Sequence, residues 1–257
     1  LTIPLGFAQN RVVETKLGNG DSRIDIIDLD AQVRESYEIN LSTHHYPATS
    51  EEDPLVRRIA SWKYGAFLCY NSNQYSGSEF CTSEDPVSDF APGDLDVAQW
   101  IETVQNAGMN YAVLTVRHTS DFLLWDSATS EIKSTNSESG VDVVELYVEE
   151  CRRRDIVPGI YYCLWGGPNR KPAPNARAMI LAQLHELATN YGTIPYFWID
   201  MGNWRPDDLS IQEIYDSLKN VSSETVVIFN QHIQDGSEVR YFPTDLLNGE
   251  MCSPPPE

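Results

Sequence analysis

The chain has 257 residues, with 18 Lys and Arg against 38 Asp and Glu, and 41% of it is hydrophobic. That apolar share suits one large globular domain or two small ones and excludes disorder and collagen-like repeats. A net charge of −20 repels phosphate backbones and anionic lipid surfaces, so neither nucleic acid nor a membrane is an expected partner. No apolar run is long enough to insert into a bilayer. The cysteines Cys69, Cys81, Cys151, Cys163 and Cys252 are scattered without a CxxC pair. Together with the absence of HExxH or EF-hand spacing, this argues against a metal centre, and no cofactor is expected. The opening LTIPLGFAQN reads either as a first strand or as the remnant of a trimmed signal peptide, in which case the protein is secreted or periplasmic.

Residues 11–29 read as two strands around the turn Gly18-Asn19-Gly20-Asp21. Residues 42–54 lack periodicity and read as a connecting loop. An N-terminal segment of strands and loop, 1–56, is therefore expected to precede a main unit at 57–257. Within that unit, apolar runs at 65–70, 111–116, 157–164, 196–200 and 225–230, with a weaker sixth at 241–247, alternate with helix-like stretches near 95–107, 141–154, 174–190 and 210–219. The first of these helices places Leu95, Ala98, Ile101, Val104 and Gln105 at spacings of three or four, with Gly108 to stop it. Apolar strands alternating with helices predict an α/β fold with a covered parallel sheet. No GxGxxG or GxxxxGK[ST] follows the first strand, which removes the main support for a nucleotide-binding open sheet. Polar and aromatic residues cluster instead at the strand ends. That suits a (β/α)8 TIM-like barrel, whose active site is built from its C-terminal strand ends. Too few strands are visible for closure, so the barrel is expected to be incomplete or irregular toward its C-terminal end. The proline cluster before Glu257 looks like a cut.

Asp200 closes the run YFWID beside Trp198. A carboxylate at a strand end next to a flat ring has the setting of a glycosidase nucleophile, and equally that of a helix-capping Asp. His118 follows the run YAVLTVR and could hydrogen-bond a sugar hydroxyl or serve as an acid/base. His44-His45 and His232 carry weaker signals. Trp125, Trp165 and Trp204 follow strand ends, where rings can stack on a sugar face. Trp100 falls on a helix and is expected in the core.

Taken together, these segments resemble glycoside hydrolase family 29, the α-L-fucosidases, from about Trp62 to Glu250. That family shows FIHxG, an Asn four residues beyond its His and a Glu six further on; GAFLCYNSNQYSGSEF puts Asn73 and Glu79 at those spacings. FAPGDLDVAQWIETVQNAGMNYAVLTVRHTSDFLLWDS is similar to the family's FNPxxxDxxxWxxxxxxAGMKYxxLTxKHHDGFxLWxS. GIYYCLW resembles GxYYS, and YGTIPYFWIDMG resembles the YGxxxxxWFDG that carries the nucleophile. The resemblance implies Asp200 as nucleophile and His118, Glu79, and Tyr161 or Tyr162 in the sugar pocket. It implies an acid/base in the GNE-like Asn248-Gly249-Glu250, with Glu250 preferred over Glu238. Trp125, Trp165 and Trp198 complete the expected sugar-binding set. Three positions depart from the pattern: Cys69 stands for the FIH histidine, Thr119 for the second His of an HH pair, and Phe80 for a Trp. Changed donors make the reaction type firmer than the sugar. The expectation is a retaining exo-acting glycoside hydrolase releasing α-L-fucose or a modified, for example methylated, deoxy sugar. The alternative is a catalytically silent sugar-binding protein on the same fold.

Overall fold

The computed structural model describes residues 10–43, 53–77, 87–165, 175–232 and 239–250. It opens with a three-stranded antiparallel meander: β1 (Arg11–Lys16), β2 (Ser22–Ile27) and β3 (Val33–Ile39). The first two strands and their turn are as expected. The third strand has an exposed, highly charged run with little hydrophobic alternation, which leaves no apolar period to read.

The main body is a five-stranded parallel sheet, β4 (Gly65–Leu68), β5 (Tyr111–Arg117), β6 (Val157–Cys163), β7 (Tyr196–Asp200) and β8 (Val226–Phe229), in sequential order. Helices α1 (Pro54–Trp62), α2 (Asn73–Ser76), α3 (Val97–Asn106), α4 (Val143–Arg153), α5 (Ala176–Thr189) and α6 (Ile211–Lys219) surround it. The strand order never reverses. A doubly wound sheet reverses at a switch point, whereas a barrel winds in one direction. Period-two alternation sorts the side chains accordingly. Leu114, Ile160, Tyr162, Phe197, Ile199, Val227 and Phe229 join the buried faces of α3 to α6 in one core. Val113, Tyr161, Cys163, Tyr196, Val226 and Ile228 face the other way and pack with Trp62 of α1. Helices α3 to α6 thus cover one face. On the opposite face, Gly159 leaves room for a neighbouring ring, since a Cβ there would sit 2.8 Å from Tyr196.

The α/β fold with its parallel sheet is as expected, and among the described residues the sheet has five strands and does not close. One expectation is corrected. Residues 241–247 form no sixth strand, although they lie against β8. One backbone bond and two side chains take the place of a ladder: the Asp245 amide donates to the Val227 carbonyl at 2.9 Å, the Val227 amide to Asp245 Oδ2 at 2.7 Å and the Phe229 amide to Thr244 Oγ1 at 3.2 Å. These bonds satisfy the open edge of β8 without a paired strand. Helix α1 leads from the connecting region into the sheet. Asp53, placed in the expected loop, caps it by accepting from the Leu55 amide at 2.8 Å, and Pro54 occupies its first turn.

The meander rests on α5, and its Val12, Ile24, Ile26 and Ile39 belong to the same core as the helices. Polar bonds fasten it there. Arg177 of α5 bridges Glu14 and Glu213, each at 2.9 Å. Tyr37 donates to Glu186 at 3.0 Å. Helix α3 buries Val97, Ile101 and Val104 but leaves Ala98 exposed, and Trp100 is only partly buried rather than fully in the core.

Candidate active site

The C-terminal ends of β5 to β8 bring together residues far apart in sequence. Asp200 is the last residue of β7 and is 6% exposed. Tyr161 and Trp198 are cross-strand partners on one face of β6 and β7, and Cys163 pairs with Asp200. The Tyr161 hydroxyl donates to Asp200 Oδ2 at 2.5 Å, and the Met201 amide donates to Oδ1 at 2.7 Å. Met201 adopts a left-handed backbone, φ 58°, uncommon for a side chain of this kind and found often where a site is held in tension. Two donors thus converge on one carboxylate and fix its orientation. Burial first, then the neighbouring Cys163 and Asp200, push the Tyr161 hydroxyl far above its ordinary range, so it stays a donor. Burial likewise pushes the Cys163 thiol up to about 12, which removes it as a nucleophile.

His118 stands at the end of β5 with its ring 5.9 Å from that of Tyr161. Phe67 of β4 sits edge-on to both Tyr161 and Trp198, at 5.4 Å each. Beyond Phe67, a cavity of about 490 Å³ is lined by Cys69, Tyr70, Tyr75, Asp94 and Trp100. Cys69 is exposed there, and Asn73 opens the short α2 on the same loop. The Trp198 indole N–H has no acceptor among the described residues. Trp165 is stacked on Trp204 at 5.2 Å and 19° between planes, and Trp204 is 37% exposed.

The second carboxyl group arrives from residues 239–250. Glu250 Oε2 accepts from the Asn230 amide at 2.8 Å, and Asn230 in turn accepts from Asn248 Nδ2 at 2.7 Å. Between the two carboxylates lies His232, with Nε2 3.1 Å from Asp200 and Nδ1 3.0 Å from Glu250. Sequence gave His232 no spacing that would single it out. Only the fold brings it here. The segment carrying Glu250 is pinned from behind by a buried cluster in which Lys219 Nζ donates to Asp245 Oδ2 at 2.9 Å and Tyr215 to Oδ1 at 2.6 Å.

Two expected pocket residues sit elsewhere. Trp125 is completely buried and donates its Nε1 hydrogen to Glu186 at 2.9 Å, leaving no ring face for a sugar. Tyr162 points to the helix side of the sheet, where its hydroxyl donates to Gln183 at 2.6 Å. Of the two adjacent tyrosines, Tyr161 is the one beside Asp200. Glu79, Phe80, Glu238 and the pair His44-His45 lie outside the described residues. Among the described residues no group of His, Cys, Asp and Glu could hold a metal ion, and no helix is long and apolar enough to cross a membrane.

A family model described as Alpha-L-fucosidase matches residues 44–246. Alpha-L-fucosidase 1 of Arabidopsis thaliana is 27% identical over 202 residues, covering 74% of this chain and 39% of the plant protein. Plasma alpha-L-fucosidase of Rattus norvegicus is 32% identical over 123 residues, which is 42% of this chain and 26% of the rat protein. The chain thus spans well under half the length of these curated relatives. Among solved structures, a glycoside hydrolase 29 family member from an unknown rumen bacterium aligns with a TM-score of 0.64 at 25% identity, over 76% of this chain and 37% of that one. A putative alpha-L-fucosidase from Bacteroides ovatus gives 0.64 at 24% identity, over 72% and 34%. With the family model matched across the sheet, the helices and the strand end that carries Asp200, this chain belongs to the α-L-fucosidase family, glycoside hydrolase family 29.

Proposed function

We propose that this chain carries the catalytic centre of a retaining, exo-acting glycoside hydrolase that cleaves α-L-fucosides, with Asp200 as nucleophile and Glu250 as acid/base. The observation that carries the reading is the meeting of two carboxyl groups, from opposite ends of a long stretch of sequence, at one strand-end mouth. Their surroundings differ in the way the roles require. Asp200 is buried and accepts two hydrogen bonds, as an ionised nucleophile should. Glu250 has a side chain 48% exposed to solvent, where a leaving group and then water can reach it. In the first step an Asp200 oxygen bonds to the anomeric carbon while Glu250 passes its proton to the departing oxygen. In the second, Glu250 takes a proton from water, whose oxygen displaces Asp200. Tyr161, His118 and Trp198 border the sugar position, and Trp165 with Trp204 offers a stacking face beside it.

The sugar is proposed to carry a substituent. Cys69 and Thr119 stand where the family motif has histidines, and both are shorter. A net charge of −20 disfavours a sulfated glycan, which leaves O-methylation as the better fit to the extra room. Comparing aryl α-L-fucoside with its O-methylated forms tests this; ordinary efficiency on the plain sugar removes the idea.

The roles are tested by two variants. Asp200→Ala should lose turnover by on the order of 10⁴-fold while remaining folded. Glu250→Ala should slow fucosides with poor leaving groups far more than activated aryl fucosides, with azide restoring rate on the latter. Near-normal turnover in Asp200→Ala, or the azide pattern in Glu238→Ala instead, would overturn the assignment.

A further inference from the structure

Resting on that reading, we infer that Arg117 is a positioning residue: together with Asp121 it locks a bulge at the end of β5, and the bulge turns His118 toward the sugar position. Strict alternation along β5 would do the opposite. Thr115 pairs with Tyr161 across the sheet, so it lies on the face where the Tyr161 hydroxyl meets Asp200. Val116 follows on the helix-covered face, in the core with Leu114. A regular strand would then return Arg117 to the face of Tyr161 and send His118 under the helices.

The register instead breaks between Thr115 and Arg117: Thr115 pairs with Tyr161, and Arg117 pairs with Tyr162. Two steps along β5 thus match one step along β6, and Val116 is the extra residue. Its carbonyl accepts from the Leu124 amide at 3.1 Å. The slip keeps Arg117 on the helix-covered face, with its guanidinium 5.2 Å from the centre of the Tyr162 ring. His118 then falls on the other face, its ring 5.9 Å from that of Tyr161. One added residue has exchanged the two side chains.

Arg117 supplies the lock. It is 2% exposed. One terminal nitrogen donates to the Cys163 carbonyl and the other to Asp121 Oδ1 at 2.6 Å. The first bond ties the bulge to the end of β6, and the second ties it to the loop beyond His118. Nε has no acceptor among the described residues, so those two bonds carry the hold. Arginine suits the place because its flat fork reaches two acceptors at once, which a point-like ammonium does not. Standing on the helix side, Arg117 acts on the sugar only through His118.

The test is a double-mutant cycle between Arg117→Met and His118→Ala, read as kcat/KM for an aryl α-L-fucoside. Methionine keeps a buried apolar stem and removes the fork. The Asp121 side chain is 21% exposed and can turn to water, so the variant should fold, which thermal unfolding checks. His118→Ala should lower kcat/KM about tenfold, the worth of one sugar hydrogen bond, and Arg117→Met by a similar factor. The double variant should also fall about tenfold and not about a hundredfold, because the arginine has nothing to position once the imidazole is gone. Should Arg117→Met fail to fold, Asp121→Asn takes its place in the cycle. It keeps an acceptor without the charge, so its fall should be smaller, and again absent in the His118→Ala background. Losses that multiply, or an Arg117→Met enzyme as active as the unaltered one, overturn the inference. Unchanged kcat/KM in His118→Ala would instead overturn the reading that His118 borders the sugar. The two failures are therefore distinguishable.

Discussion

Replacing Lys219 by Met probes how the segment bearing Glu250 is held. The Lys219 side chain is completely buried, and that of Asp245 is 6% exposed. The ammonium donates to Asp245 Oδ2 at 2.9 Å and to the Thr225 carbonyl at 2.7 Å. Asp245 also receives the Tyr215 hydroxyl at 2.6 Å and the Val227 amide at 2.7 Å. Removing the lysine strands a carboxylate in a place with almost no water. Breaking one partner of such a pair costs about 3–5 kcal/mol, far more than the net worth of the intact pair. For a domain of this size that corresponds to a fall of roughly 6–20 °C in melting temperature. The double variant Lys219→Met/Asp245→Asn should recover most of the loss, since no buried charge then remains unpaired and the amide oxygen still accepts. Thermal and urea unfolding of the two variants measure this directly. Because Asp245 lies only a few residues before Glu250, the single variant should also lose kcat/KM preferentially on poor leaving groups. A loss below about 1 kcal/mol, or a double variant no better than the single, would refute the argument that the buried charge pair holds this segment.

Other outcomes follow from the same structure. Glu213 is held down to about 2: burial alone would raise it, but Arg177 and the Ser210 cap outweigh that. Its folded value thus lies below its unfolded one, so its contribution is present above about pH 4.5 and is lost as pH falls toward 2. Acid unfolding of Glu213→Gln should show a shallower dependence across that window. Trp125→Phe removes the donor to buried Glu186, whose carboxyl burial already pushes upward; stability should drop by about 1–3 kcal/mol while KM for a fucoside stays unchanged. A large change in KM would return Trp125 to the sugar pocket. Trp204→Ala removes the exposed half of the stacked pair and should raise KM for an oligosaccharide about tenfold, with little effect on a small aryl fucoside.

Much of the architecture was legible in local sequence. The turn at Gly18-Asn19-Gly20-Asp21, the five apolar strands of the sheet and the helices α3 to α6 each carry their own periodicity or cap. Those signals survive because a strand buried on both faces and an amphipathic helix must be apolar in a fixed rhythm. The strand-end position of Asp200 was legible for the same reason. What was missed lacked such rhythm. The charged third strand of the meander is held by pairing with its neighbour, and residues 241–247 carry enough apolar residues to suggest a strand that one backbone and two side-chain hydrogen bonds then replace.

The active-site constellation belongs to the tertiary structure. Tyr161 and Tyr162 are chemically identical neighbours, and strand alternation alone says they point to opposite faces without saying which face is which. The helices decide that, by covering the side on which Tyr162 lies. Trp125 follows a strand end as Trp165 does, yet a buried carboxylate on α5 draws it into the core. Sequence by itself determined the family, the alternation of strands and helices, and the nucleophile candidate. Only the fold determined that His232 sits between Asp200 and Glu250, because three side chains from separate segments meet through long-range packing, which leaves no fixed spacing in the chain.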